Sequence, residues 1–96
     1  GTEISELVYV YVKRQDYSGE PEVFLWPSVT SDEFTVALSN DSYYSIYIYN
    51  TAGQVIMKHT NCRYQITVNV NALPRGTYIV TVFNDELRKS LKIIKK

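Results

Sequence analysis

The sequence predicts an all-β chain folded as a two-sheet sandwich, and three observations carry that expectation. Nearly every segment alternates apolar and polar residues with period two, and none sustains a helical period. Turn residues recur about every 8–12 positions, the spacing of sandwiches and barrels. Nine Tyr, three Phe and one Trp stand among 96 residues, and aromatic side chains suit a pleated, half-buried surface. A chain of this length builds one core and is too short for two.

Taken in order, Leu7-Val8-Tyr9-Val10-Tyr11-Val12 opens the chain as a dense run of strand formers, followed by a polar stretch at 15–21. Residues 1–22 therefore read as a strand and connector, and 23–96 as the body of the sandwich. Residues 23–26 form a short strand stopped by Pro27, which cannot donate to a ladder. Residues 33–39 place Phe34, Val36 and Leu38 on one face. Asn40-Asp41-Ser42 is a turn, and 44–50 set Ile46 and Ile48 against Tyr47 and Tyr49. Thr51-Ala52-Gly53 turns the chain into 54–59, and residues 60–63 read as another turn. Residues 64–71 present Ile66, Val68 and Val70 together. Leu73-Pro74-Arg75-Gly76 interrupts the pattern, 77–83 resume it, Asn84-Asp85 turns, and 87–94 close the chain. That makes about seven to eight strands, whose short connections suit antiparallel neighbours.

Leu73-Pro74-Arg75-Gly76-Thr77-Tyr78 sharpens the architecture. A Tyr opening a late strand after a turn occupies the tyrosine-corner position of immunoglobulin-like sandwiches, with its hydroxyl bonded back to the upstream chain. The fold class is thus an immunoglobulin-like antiparallel β-sandwich.

Net charge is zero, but acids and bases are segregated. Residues 1–41 carry eight acids and two bases, and residues 42–96 carry two acids and eight bases. Arg88, Lys89, Lys92, Lys95 and Lys96 crowd the last nine positions. Such a run suits a charged edge strand that resists aggregation, and without a wider basic face it does not point to nucleic acid. No run reaches the roughly 18 apolar residues of a membrane span. The one cysteine, Cys62, forms no internal disulfide, so stability must come from the core.

Chemistry-bearing constellations are scarce. His59 is the only histidine, and with Cys62 it makes at most a dyad lacking a third, orienting group. One His and one Cys do not build a structural zinc site. Asp32-Glu33 and Asp85-Glu86 are neighbours, which on a strand point to opposite faces. Asp16 and Asp41 stand in loops without the spacing of a calcium loop, and no glycine-rich phosphate loop occurs. The expectation is a non-enzymatic chain without a cofactor.

The tyrosines are the feature suited to recognition. With Ile46 and Ile48 facing the core, Tyr47 and Tyr49 form an outward stripe that Tyr43 extends. Exposed aromatic stripes stack on sugars or mark protein interfaces, while cross-strand aromatic pairing that only stabilises a sheet gives the same pattern.

Four stretches in fixed order resemble the C-terminal sorting domain of type IX secretion substrates of Bacteroidetes. Leu25-Trp26-Pro27-Ser28-Val29 leads into an alternating strand, where the family has a Y-P-N-P-like start. Ile46-Tyr47-Ile48-Tyr49 runs into a Gly53-Gln54 turn. Leu73, Pro74, Gly76 and Tyr78 match L-P-x-G-x-Y, and Lys89-Ser90-Leu91-Lys92-Ile93-Ile94-Lys95-Lys96 matches the basic, apolar tail. The resemblance implies a targeting module of a larger exported protein, recognised by translocon proteins and bound for the periplasm, the outer-membrane surface or the medium. It implies that Leu73, Pro74, Gly76, Tyr78, Lys89, Lys92, Ile93, Ile94, Lys95 and Lys96 carry the signal. The chain is also similar to small secreted Bacteroidetes sandwich domains of unassigned function. That likeness implies a carbohydrate- or protein-binding module whose surface ligand meets Tyr43, Tyr47 and Tyr49. An unpaired end strand would further allow an edge-to-edge dimer.

Overall fold

A computed structural model of the chain describes residues 21–96. The strand expected at 7–12, with Tyr9 and Tyr11, and nearly all of the 1–22 connector lie outside the described residues. Among those residues the chain forms eight strands and no helix: β1 (Val23–Trp26), β2 (Val29–Thr30), β3 (Glu33–Leu38), β4 (Tyr43–Tyr49), β5 (Val55–Arg63), β6 (Gln65–Asn69), β7 (Gly76–Phe83) and β8 (Arg88–Lys95). They build a three-stranded sheet, β1-β3-β6, and a five-stranded sheet, β2-β8-β7-β4-β5.

The alternation in the sequence becomes one shared core. Phe34, Val36 and Leu38 of β3 with Val68 of β6 come from the smaller sheet. Tyr44, Ile46 and Ile48 of β4, Tyr78, Val80 and Val82 of β7, and Ile93 of β8 come from the larger. Ile66 packs against this cluster without being fully enclosed. Four turns begin the same way: Asn40, Asn50, Asn69 and Asn84 each accept the amide two residues on through Oδ1. An Asn side chain mimics the next turn of backbone, so it sets the bend locally. Gly53, at φ 85°, completes the Asn50 turn in a conformation that L side chains rarely adopt.

Three features depart from the sequence expectation. Residues 60–63 are not a turn, because β5 runs through them to Arg63. Their polar, turn-like composition marks a bulge: β5 places two residues, Thr60 and Asn61, opposite Ser45 alone, and Asn61 takes φ 57°. The turn comes instead at Tyr64, φ 61°, where the chain leaves the larger sheet for the smaller and Tyr64 O accepts Leu38 N. The second departure is β2, two residues too short to show periodicity. The third is its orientation: β2 lies parallel to β8, Val29 beside Ile94 and Thr30 beside Lys95. This pair joins strands far apart in sequence, so the turn-length argument for antiparallel neighbours does not apply to it.

Asn61 is suited to its bulge because Asn tolerates the left-handed region better than branched residues do. Asn61→Val is expected to lower unfolding free energy by about 1 kcal/mol, while Asn61→Gly holds it. Urea midpoints of the two variants check this; an unmoved Val variant would contradict the bulge.

Candidate functional site

The corner before β7 is built from its own sequence. Leu73 packs on the core and donates its amide to Val70 O. Tyr78 is buried, 6% exposed, and its hydroxyl donates to the Pro74 carbonyl at 2.6 Å. Gly76 sits at φ 152°, and a Cβ there would meet nothing within 4 Å, so backbone conformation and not space favours glycine. Antiparallel pairing then sets Gly76 opposite Lys95, Thr77 opposite Ile94 and Tyr78 opposite Ile93. The L-P-x-G-x-Y corner and the basic tail, separated in sequence, lie side by side.

The tail itself is β8, a strand bonded along its whole length to β7. Alternation splits its side chains. Ile93 is fully buried, and Lys95 points the same way at 7% exposure, its Nζ donating to Lys96 O. Lys89, Lys92, Ile94 and Lys96 are exposed. Among the described residues the other edge of β8 is only partly covered. Ile94 N donates to Ser28 O and Lys96 N to Thr30 O, so even-numbered residues aim their backbone groups away from β7. By the same parity Ser90 and Lys92 aim theirs outward, where no described strand pairs with them.

The tyrosines lie elsewhere, on the outer face of the larger sheet. Tyr47 and Tyr49 are half-buried by each other and by Phe83: the Tyr47 ring meets Phe83 edge-on at 5.0 Å and Tyr49 at 6.4 Å. Tyr43 is 58% exposed, on the lip of a shallow open groove of about 310 Å³ shared with Ser45, Asn61, Phe83, Asn84 and Asp85. β7 separates β4 from β8, so the tyrosine group and the tail are distinct regions of one sheet.

Among the described residues Arg63 is a charge held by several partners. Its Nε and Nη2 donate to the two carboxylate oxygens of Asp41 at 2.6 and 2.9 Å. Its guanidinium lies 5.3 Å from the Tyr43 ring and 5.1 Å from the Tyr64 ring. The Arg63 hydrogen bond, with a second from Tyr64, holds the Asp41 carboxyl below its ordinary range.

Residues 24–96 match a family described as the secretion system C-terminal sorting domain. The chain belongs to this family of sorting domains. No curated protein matches the chain. Such domains are signals for type IX secretion, recognised by the secretion machinery, and they mark proteins for export to the cell surface or release.

In this sorting domain the stretch Trp26-Pro27-Ser28-Val29 is the crossover between sheets, from β1 to β2. What it gives β8 is the Ser28 carbonyl, a backbone group that every residue type supplies. Sequence reasoning missed this contact because no pattern in two residues announces a strand. It also missed Phe24 and Trp26, each 47% exposed, and the cations Lys58, Arg63 and Arg88 that lie against aromatic rings. Lys58 faces Tyr47 only because bulges shift β5, which composition does not reveal.

His59 and Cys62 lie on β5 opposite Ile46 and Tyr44. Cys62 is buried at 5% exposure, and burial pushes its thiol pKa up, away from the thiolate a nucleophile needs. The neighbouring Tyr44 hydroxyl is pushed up to about 12, chiefly by burial. Among the described residues no group of three or more His, Cys, Asp and Glu could hold a metal, and no helix is long and apolar enough to cross a membrane.

Two outcomes follow from this geometry. Tyr78→Phe orphans the Pro74 carbonyl and is expected to cost on the order of 1 kcal/mol, read as a lower thermal midpoint. Asp41, whose folded pKa is depressed, keeps its charge at neutral pH and loses the Arg63 pair only as acid drops pH through that folded value. An NMR titration of its carboxyl carbon should move back towards ordinary Asp values in Arg63→Gln, and an unmoved titration would remove Arg63 as the cause.

Proposed function

We propose that this sorting domain acts without catalysis and that the machinery reads it at β8. The observation carrying this reading is the β8 edge at Ser90 and Lys92, with which no described strand pairs, flanked by the exposed cations Lys89, Lys92 and Lys96. Outward N–H and C=O groups invite a partner's strand to extend the sheet, with the cations and Ile94 supplying side-chain contacts. In this reading Leu73, Pro74, Gly76 and Tyr78 build the corner that positions β8, and Ile93 and Lys95 anchor it inward. Pairing of the same edge with a second copy would block the signal, so an edge dimer belongs to a state before recognition.

Deleting residues 89–96 does not isolate the signal, because it removes Ile93 from the core. Lys92→Pro is cleaner: it deletes an N–H that β7 does not use, and proline is tolerated on a strand edge. A reporter fused ahead of the chain and carrying Lys92→Pro should fold, by circular dichroism, and remain in the periplasm. Surface delivery equal to the parent chain would overturn strand addition at β8. Leu91→Pro, which breaks the β7 ladder, serves as the unfolded control.

A further inference from the structure

The outer face of the five-stranded sheet has an arrangement that sorting at the β8 edge does not use. Side chains on this face stand in rows fixed by register. One row runs Val55, Tyr49, Ile79, Lys92; the next runs Lys58, Tyr47, Thr81, Ser90; a third holds Ser45, Phe83 and Arg88. The middle of the face, on β4 and β7, thus carries Tyr47, Tyr49, Ile79 and Phe83 beside the smaller Ser45 and Thr81. Its margins carry one cation, Lys58, on β5 and two, Arg88 and Lys92, on β8.

The cations are tied to the rings. Lys58 Nζ lies 5.3 Å from the Tyr47 centroid, and the Arg88 guanidinium lies 5.6 Å from that of Phe83. A cation over a ring face is partly relieved of its need for water, which suits it to an interface. No Asp or Glu of the described residues stands in these rows. Asp85 and Glu86 lie in the β7–β8 turn at one end of the face, where Asp85 lines the groove beside Ser45 and Phe83, and Asp41 is already paired with Arg63. β5 and β8 are three inter-strand spacings apart, so the two margins are separated by about 14 Å.

We propose that this face docks an acidic protein surface of the export machinery, one that lays an apolar ridge along Tyr47, Tyr49, Ile79 and Phe83 with carboxylates on both sides. The proposal rests on the sorting reading above and names a second contact, which adjoins the β8 edge at Ser90 and Lys92 and extends from it to Lys58 and Arg88. Charge complementarity selects the occupant. A neutral sugar leaves Lys58 and Arg88 without counter-charge, whereas carboxylates on both flanks satisfy them and steer encounter. The aromatic centre provides the desolvated anchor that charged rims alone lack.

The purified chain, titrated with a random copolymer of glutamate and tyrosine, tests this. Amide NMR shifts should saturate and concentrate on β4, β5, β7 and the start of β8. The pair Lys58→Glu with Arg88→Glu should raise the dissociation constant at least about tenfold, since both positions are exposed and reversal turns attraction into repulsion. Equal binding by that variant would overturn the proposal. So would tighter binding of oligothymidylate than of the copolymer, which would make the face a nucleic-acid surface. In the reporter assay the reversed pair should also lower surface delivery. Normal delivery of the reversed pair, with Lys92→Pro still blocked, would sink the acidic partner and leave the β8 reading standing. Normal delivery of both would sink both.

Discussion

Everything in this sandwich hangs on one set of inward side chains that two sheets must share. Ile46, Ile48, Val80, Val82 and Ile93 line the larger sheet, and Phe34, Val36 and Val68 line the smaller, all fully buried in one cluster. Burial of such side chains is worth on the order of 1.5–3 kcal/mol each before conformational entropy is set against it. Because side chains alternate strictly along a strand, that requirement also settles which residues look outward. Tyr47 and Tyr49 face solvent because Ile46 and Ile48 do not. Lys92 and Ile94 face solvent because Ile93 does not.

The same constraint brings together motifs that are spread along the chain. The L-P-x-G-x-Y corner and the basic tail are distant in sequence but paired in register, Gly76 beside Lys95 and Tyr78 beside Ile93. The crossover at Trp26-Pro27-Ser28-Val29 reaches the same place, through Ser28 O on Ile94 N. Three motifs therefore converge on one strand. Leu73, Gly76 and Tyr78 have packing or conformational reasons to be what they are, whereas among the described residues no carboxylate pairs with the exposed lysines of β8.

The larger sheet also shows how edges are managed. β5, at one edge, carries bulges at Ile56 and at Thr60 and Asn61, which twist it and disturb its outer ladder. β8, near the other edge, is capped by β2 over two residues only. Among the described residues one edge is blunted and the other is paired over two residues. Buried Cys62 and Tyr44 belong to this packing, and burial raises the pKa of both, Tyr44 to about 12, which disfavours their charged forms.

Periodicity and turn chemistry in the sequence sufficed for the all-β class, the faces of β3, β4 and β6, and the turns at Asn40 and Asn84, because these depend on neighbours in the chain; Asn50 and Asn69, read as strand residues, start turns as well. The resemblance carried by Leu73, Pro74, Gly76, Tyr78 and the basic tail sufficed for the family, since order and spacing survive without coordinates. Tertiary structure alone decided the rest. It placed β2 parallel to β8, continued β5 through 60–63 by a bulge, turned Lys95 inward while leaving Lys92 out, and brought Lys58 and Arg88 against Tyr47 and Phe83. Each of these depends on register between strands, and register is set by how two sheets close over one core, not by any local run of residues.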